Sequence, residues 1–179
     1  VPQKERADFF LKEIGLSKAP LIIYNCPLKN WSNNKIHPDI IKYHKNYKII
    51  IYQGDLNWKR GLKSIILSMK YWDEDWMFCL VGKNDLESNF KSTAKDLHST
   101  LKSKAKLLIL PPQDYYNLSS ITSFCDIGLA VMINENESTN INIKMLAGAS
   151  NKIAEYMACG LPIISPKGKI YNEIFNKYR

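Results

Sequence analysis

Apolar positions in this chain fall into short, nearly continuous runs, separated by longer stretches in which they recur every three or four residues. Lys48-Ile49-Ile50-Ile51-Tyr52-Gln53-Gly54 is such a run, and its β-branched content with a closing glycine predicts a buried strand. Residues 60–71 then set Leu62, Ile65, Ile66 and Met69 on one stripe, the pattern of an amphipathic helix. Residues 76–82 predict a second strand, ending in Gly82, and 86–101 a more polar helix. A third strand at 107–110 is stopped by Pro111-Pro112, and a short helix over 115–124 leads into a strand over 127–132. The segment 134–149 is rich in Asn and lacks periodicity, which predicts a long loop of the kind that often carries function. A helix over 151–159 is closed by Gly160 with Pro162 beyond, followed by a short strand at 162–165 and a last helix at 171–178.

Strands that are apolar on both faces, alternating with helices, predict an α/β fold: a Rossmann-like, doubly wound parallel sheet covered on both sides, spanning 47–179. Residues 1–46 read differently, as a helix over 5–14, a short strand at 21–24 and an irregular Asn- and Lys-rich connector. They predict a lead-in segment docked on the single domain. In parallel sheets ligands bind beyond the carboxyl ends of the strands, near the point where strand order reverses. Attention therefore falls on 54–61, 82–85, 111–114 and the loop running into Asn151.

Composition narrows the function. The chain has 179 residues, 45% hydrophobic and 23% charged, as expected of a globular domain. No apolar run approaches the roughly 18 residues of a membrane span, and Val1-Pro2-Gln3-Lys4-Glu5-Arg6 lacks the order of a signal peptide. The absence of an initiator Met predicts a fragment or a processed chain. Cys26, Cys79, Cys125 and Cys159 are widely spaced and form no metal-like pair; three lie in apolar runs, which favours free thiols and a cytoplasmic setting. The net charge of +8 admits nucleic acid, an anionic membrane surface or a phosphorylated ligand. No nucleic-acid-binding signature accompanies it, so it favours a small anion, with peripheral attraction to a membrane face as a secondary effect.

The usual phosphate loops are missing. Gly54 and Gly61 bracket Asp55-Leu56-Asn57-Trp58-Lys59-Arg60, with neither GxGxxG nor a Walker A sequence, and no HExxH or GxSxG occurs. His37, His44 and His98 lie in lead-in or surface-helix segments, where solvated side chains are expected. Arg60 sits where the loop after the first strand turns into a helix, a place that already favours an anion. In Ser150-Asn151-Lys152-Ile153-Ala154-Glu155, Ser150 is a natural N-cap that puts Asn151 and Lys152 in the first helical turn. Lys152 and Glu155, three residues apart, share a face. The cation can hold a diphosphate, and the carboxylate one turn on can accept from a ribose diol. The blander alternative is a surface ion pair worth tenths of a kcal/mol, about 0.5.

The segment ASNKIAEYMACGLPIIS resembles the S-P-N-K-hydrophobic-x-E-Y-M-A-x-G-x-P motif of the retaining GT-B glycosyltransferases of the family-4 type, the glycosyl transferases group 1. IIIYQGDLNWKRGLKSII, FCLVGKND and YYNLSSITSFCDIGLAVM resemble the preceding strands and helix starts in the right order, and KERADFFLKEIGLSKAPLIIYNCP is similar to the interdomain lead-in. The resemblance implies the C-terminal, donor-binding half of a two-domain enzyme, cut short before its final strand and helix. On it, Arg60, Lys152 and Asn151 bind the donor diphosphate, Glu155 the ribose, and Gly54 and Gly82 permit close backbone approach. Gln113 lines the base pocket. It implies transfer with retention from a UDP- or GDP-type sugar, with no metal or other cofactor. An N-terminal acceptor domain would be the partner, surface polysaccharide the product, and the isolated fragment inactive.

Three positions depart from that pattern. A second Glu common in the family is Ala147 here, the Pro of S-P-N-K is Ala149-Ser150, and an Arg after the first strand is Asp55. Asn142 and Lys144 are therefore candidate sugar contacts, and no residue is assigned as catalytic. The competing readings are a non-catalytic nucleotide-binding module and a flavodoxin- or response-regulator-like domain.

Overall fold

The computed structural model describes residues 1–32, 35–84, 88–131, 150–167 and 169–177. Five strands form one sheet: β1 Lys48–Gln53, β2 Trp76–Val81, β3 Lys106–Leu110, β4 Ile127–Leu129 and β5 Ile163–Ile164. Their order is β3-β2-β1-β4-β5, and every neighbouring pair is parallel. The chain thus builds outward from β1 on one side, then returns to add β4 and β5 on the other. The strand order reverses between β1 and β4, where Ile50 pairs with Ile127 and Ile51 with Gly128.

Both faces are buried, as the doubly apolar strands require. Ile49, Ile51, Met77, Cys79 and Val81 point to one side and pack with Ile121, Ile153 and Tyr156. Ile50, Tyr52, Phe78 and Leu80 point to the other and pack with Leu62, Ile66, Phe90 and Ala94. The first face is covered by helices α5 Tyr115–Thr122 and α6 Asn151–Ala158, and by α7 Lys169–Lys177 through Tyr171. The second is covered by α3 Leu62–Ser68 and α4 Phe90–Thr100. Helix α1 Lys4–Glu13 and the single turn α2 Pro38–Ile41 lie in the lead-in.

The lead-in docks through specific groups. Trp31 is buried and donates its indole N–H to the Tyr115 carbonyl at 3.0 Å, and Leu28 N–H donates to the Tyr115 hydroxyl at 3.0 Å. Ile40 of α2 is fully buried in the sheet core. That turn lies inside the segment read as an irregular connector. His37 caps it by accepting from Asp39 N–H at 3.2 Å, and Pro38 occupies its first turn, where proline is favoured.

Other elements differ from the sequence expectation. The strand expected at 21–24 joins no sheet; Leu21 and Ile23 instead exchange backbone bonds with Val1, at 2.8 and 2.9 Å, and remain exposed. The helix expected at 60–71 is split by Gly61, whose left-handed φ of 76° separates a 3-10 turn at Trp58–Arg60 from α3. The helix expected from 86 begins at Phe90, and the strand expected over 127–132 ends at Leu129. The loop expected at 134–149 lies outside the described residues.

Ser150 occupies the N-cap position of α6, with φ −84° and ψ 111°, but its side chain makes no capping bond. Asp114, by contrast, accepts from Tyr116 N–H at 3.0 Å and Asn117 N–H at 2.8 Å at the start of α5. Asp114→Ala is therefore expected to destabilise the protein by about 1 kcal/mol, whereas Ser150→Ala shifts it by less than about 0.5 kcal/mol. Urea unfolding of the two variants checks the contrast; equal losses would contradict it.

Candidate functional site

Helix α6 is anchored to the sheet at the strand-order reversal by Tyr156. Its buried hydroxyl donates to the Ile51 carbonyl at 3.2 Å, lies 3.4 Å from the Leu129 carbonyl, and accepts from Gln53 N–H at 3.2 Å. One phenol therefore ties β1 to β4. The ring fits because position 128 is glycine: a Cβ there would lie 2.3 Å from Tyr156 Cδ2. This docking sets the first turn of α6 over the carboxyl ends of β1 and β4.

Lys152, in that turn, projects over the end of β1. Its Nζ lies 3.9 Å from the centroid of the Tyr52 ring, a cation–π contact. It also approaches Gly54, where an added Cβ would stand 3.6 Å from it. Burial depresses the Lys152 pKa to about 7, and the positive charge of Arg60 pushes the same way against Glu155 and Asp55. Arg60 lies 3.8 Å (Nη2) from Asp55 Oδ2, and Asn57 Nδ2 donates to that oxygen at 2.5 Å. Asp55, one of the departures from the family pattern noted above, thus holds Arg60 beside the cavity. Tyr52, Gly54, Asp55, Arg60, Ala130, Val131, Ser150 and Lys152 line that cavity, of about 140 Å³. Two basic side chains beside a glycine backbone and a helix start have the chemistry to receive an anion in this cavity.

Glu155, one turn further along α6, lines a neighbouring cavity of about 240 Å³ with Asn151, Tyr115 and the lead-in residues Tyr24, Asn25, Cys26 and Pro27. Burial raises its pKa, while a hydrogen bond from Gln53 and the charge of Lys152 oppose the rise. The donor is the side-chain amide of Gln53, itself buried at the end of β1, and its Oε1 accepts from the Thr122 hydroxyl at 2.9 Å. Sequence reading missed Gln53. A polar residue closing an apolar strand is the signal that would have marked it.

Of the residues expected in the site, the structure brings Arg60, Lys152 and Gly54 to one cavity and Asn151 and Glu155 to the next. Gly82 serves a different purpose. A Cβ there would meet the Gly54 carbonyl at 1.7 Å, so its bareness lets the loops after β1 and β2 pack together. Gln113 donates back to the Pro111 carbonyl at 3.1 Å and lines neither cavity. Asn142, Lys144 and Ala147 lie outside the described residues. Among the described residues, no cluster of His, Cys, Asp and Glu is arranged to hold a metal ion, and no helix is long and apolar enough to cross a membrane. All four cysteines are free, and burial pushes the Cys79 thiol up to about 12.

The sequence model of the family described as Glycosyl transferases group 1 matches residues 33–179. The chain belongs to that family. No curated protein sequence matches it significantly. Among solved structures, this group 1 glycosyltransferase domain is similar to HepE of Anabaena in complex with UDP-glucose, with a TM-score of 0.68 and 18% identity over 97% of this chain and 46% of that one. A glycosyltransferase from Rickettsia africae gives a TM-score of 0.65 with 19% identity, covering 94% of this chain and 44% of that one. Sucrose-phosphate synthase from Thermosynechococcus elongatus gives 0.55 and 14%, covering 91% and 39%. At such identities the likeness is one of fold, that of one Rossmann-like GT-B half. The glycosyltransferase domain spans less than half the length of each of these structures.

Proposed function

We propose that the chain is the donor-binding part of a retaining, family-4-type GT-B glycosyltransferase. It takes a nucleoside-diphosphate sugar of the UDP or GDP type. The observation that carries this reading is the juxtaposition of Lys152 and Arg60 around one cavity with Glu155 lining the next, all from elements that meet where the strand order reverses. Lys152 and Arg60 hold the diphosphate and neutralise the charge that builds on it as the sugar departs. Asn151 and the backbone of Gly54 flank it. Glu155 accepts from the two ribose hydroxyls; a carboxylate has about four acceptor sites, enough for the diol beside its bond from Gln53. The UDP-glucose complex of HepE supports a donor of this chemistry.

In this proposal residues 1–46 are the lead-in and 47–179 the donor domain. An N-terminal domain binds the acceptor, a growing glycan or lipid-linked sugar in surface polysaccharide synthesis. Asn142 and Lys144 contact the sugar and Gln113 flanks the base. Cationic side chains take the place of a metal, and the enzyme works in the cytoplasm, with its basic charge drawing it to the membrane face.

Calorimetry tests the reading. Glu155→Ala is expected to weaken UDP binding about tenfold, as loss of a charge-assisted pair of hydrogen bonds implies, while inorganic pyrophosphate still competes as in the parent. Unchanged UDP affinity in this variant would remove Glu155 from the site, and preferential binding of FMN would favour a flavodoxin-like module.

A further inference from the structure

We propose that Gln53 and Thr122 form a positioning relay that fixes the Glu155 carboxylate for a ribose, so that the domain selects ribonucleotide over 2′-deoxyribonucleotide donors. The inference rests on the donor-site reading above and adds two residues and a selectivity to it.

Glu155 sits on a helix surface and, with ordinary rotamer freedom, would sample several directions. The Gln53 amide donates to its Oε2, which holds one oxygen toward the end of β1. Gln53 has no comparable freedom, because it is buried between β1 and the helices, with its amide oxygen accepting from Thr122 Oγ1 at 2.9 Å. Its backbone N–H is bonded to Tyr156, the residue after Glu155. Thr122 closes α5 and is itself fully buried. The relay therefore runs from α5 through β1 to α6, across the point where the sheet reverses. The carboxylate of Glu155 can only accept, so the Gln53 amide nitrogen faces it and the amide oxygen is left to Thr122, whose hydroxyl also lies 2.9 Å from the Leu118 carbonyl. A carboxylate so oriented accepts from vicinal hydroxyls at fixed positions, and preorganisation of this kind makes a missing hydroxyl costly.

A merely structural amide would lower stability without altering selectivity. Two variants separate the roles: Gln53→Met keeps the volume and removes both amide atoms, and Thr122→Val removes the hydroxyl alone. The probes are UDP against 2′-deoxy-UDP and GDP against 2′-deoxy-GDP, by calorimetry on the full chain. The parent is expected to favour the ribonucleotide by about tenfold. Gln53→Met brings that ratio to near one by weakening only the ribonucleotide, and Thr122→Val lowers it part-way. In Gln53→Met the acidic limb of UDP binding also moves to higher pH, because the Glu155 carboxylate loses the bond that opposes its burial. If Gln53→Met does not fold, Thr122→Val and Gln53→Glu carry the test, the latter expected to weaken UDP by setting two carboxylates together. A parent that prefers UDP, with a folded Gln53→Met or Thr122→Val of unchanged ratio, overturns the relay alone. A parent that binds neither UDP nor GDP overturns the donor site and the relay with it.

Discussion

Lys152→Ala is expected to weaken UDP-glucose binding by about a hundredfold, the loss of two charge-assisted hydrogen bonds at roughly 1.5 kcal/mol each. The same residue gives the binding its pH dependence. Before ligand arrives, burial and the neighbouring Arg60 hold its pKa near 7, so above that pH the amine is largely neutral. A diphosphate placed against it favours the ammonium and raises that pKa. Binding then takes up a proton, and affinity falls by about tenfold per pH unit above 7 until the pKa of the complex is reached. Below 7 Lys152 is already charged and its contribution is flat. UDP-glucose is the suitable probe, since its phosphates carry no ionisation near neutrality. Titrations at about pH 8 in buffers of different ionisation enthalpy should report an uptake approaching one proton. In Lys152→Ala both the uptake and the slope disappear. An affinity constant from pH 6 to about 8.5 would show that Lys152 is not the group on the diphosphate.

The second large effect is on stability. Gly128→Ala would place its Cβ 2.3 Å from Tyr156 Cδ2 and 2.4 Å from Cγ, atoms of a ring that is fully buried and cannot turn aside. Overpacking of this kind should cost about 3 kcal/mol and lower the melting temperature by on the order of 10 °C. Because the clash is with one ring, it should be conditional. In a Tyr156→Leu background the same substitution should cost under about 1 kcal/mol, a coupling that a double-mutant cycle measures directly. Additive losses would mean that the backbone around β4, and not the ring, sets the limit.

The sheet was legible because its strands are apolar on both faces, a pattern that leaves few alternatives to burial between helices. That Lys152 and Glu155 lie one turn apart was legible for a local reason, their three-residue spacing within one helix; that they line adjoining cavities was not. Gln53 was not, since its role depends on β1, α5 and α6 meeting, and those elements are some 70 and 100 residues apart in the chain. The misread segment at 21–24 makes the complementary point. An apolar, β-branched run describes a strand's side chains but not whether a neighbour exists to receive its backbone bonds, and among the described residues the backbone bonds of Leu21 and Ile23 go to Val1. Gly82 shows a third limit. Its position after a strand was visible, but the partner that demands a bare α-carbon is the Gly54 carbonyl in the next loop.

The phenol bridge at Tyr156 also bears on the order in which the protein becomes competent. During synthesis β1, β2 and β3 emerge first and can pair among themselves, whereas β1 must wait for residues 127–129 and then for Tyr156 before its other edge is closed. Lys152 and Glu155 arrive with that same helix. On the proposed reading, a nascent or partly opened chain can thus hold three paired strands without a donor site, so nucleotide binding reports the closure of β1 against β4 and α6. Bound nucleotide should accordingly slow amide exchange at the β1–β4 seam more than within β2 and β3.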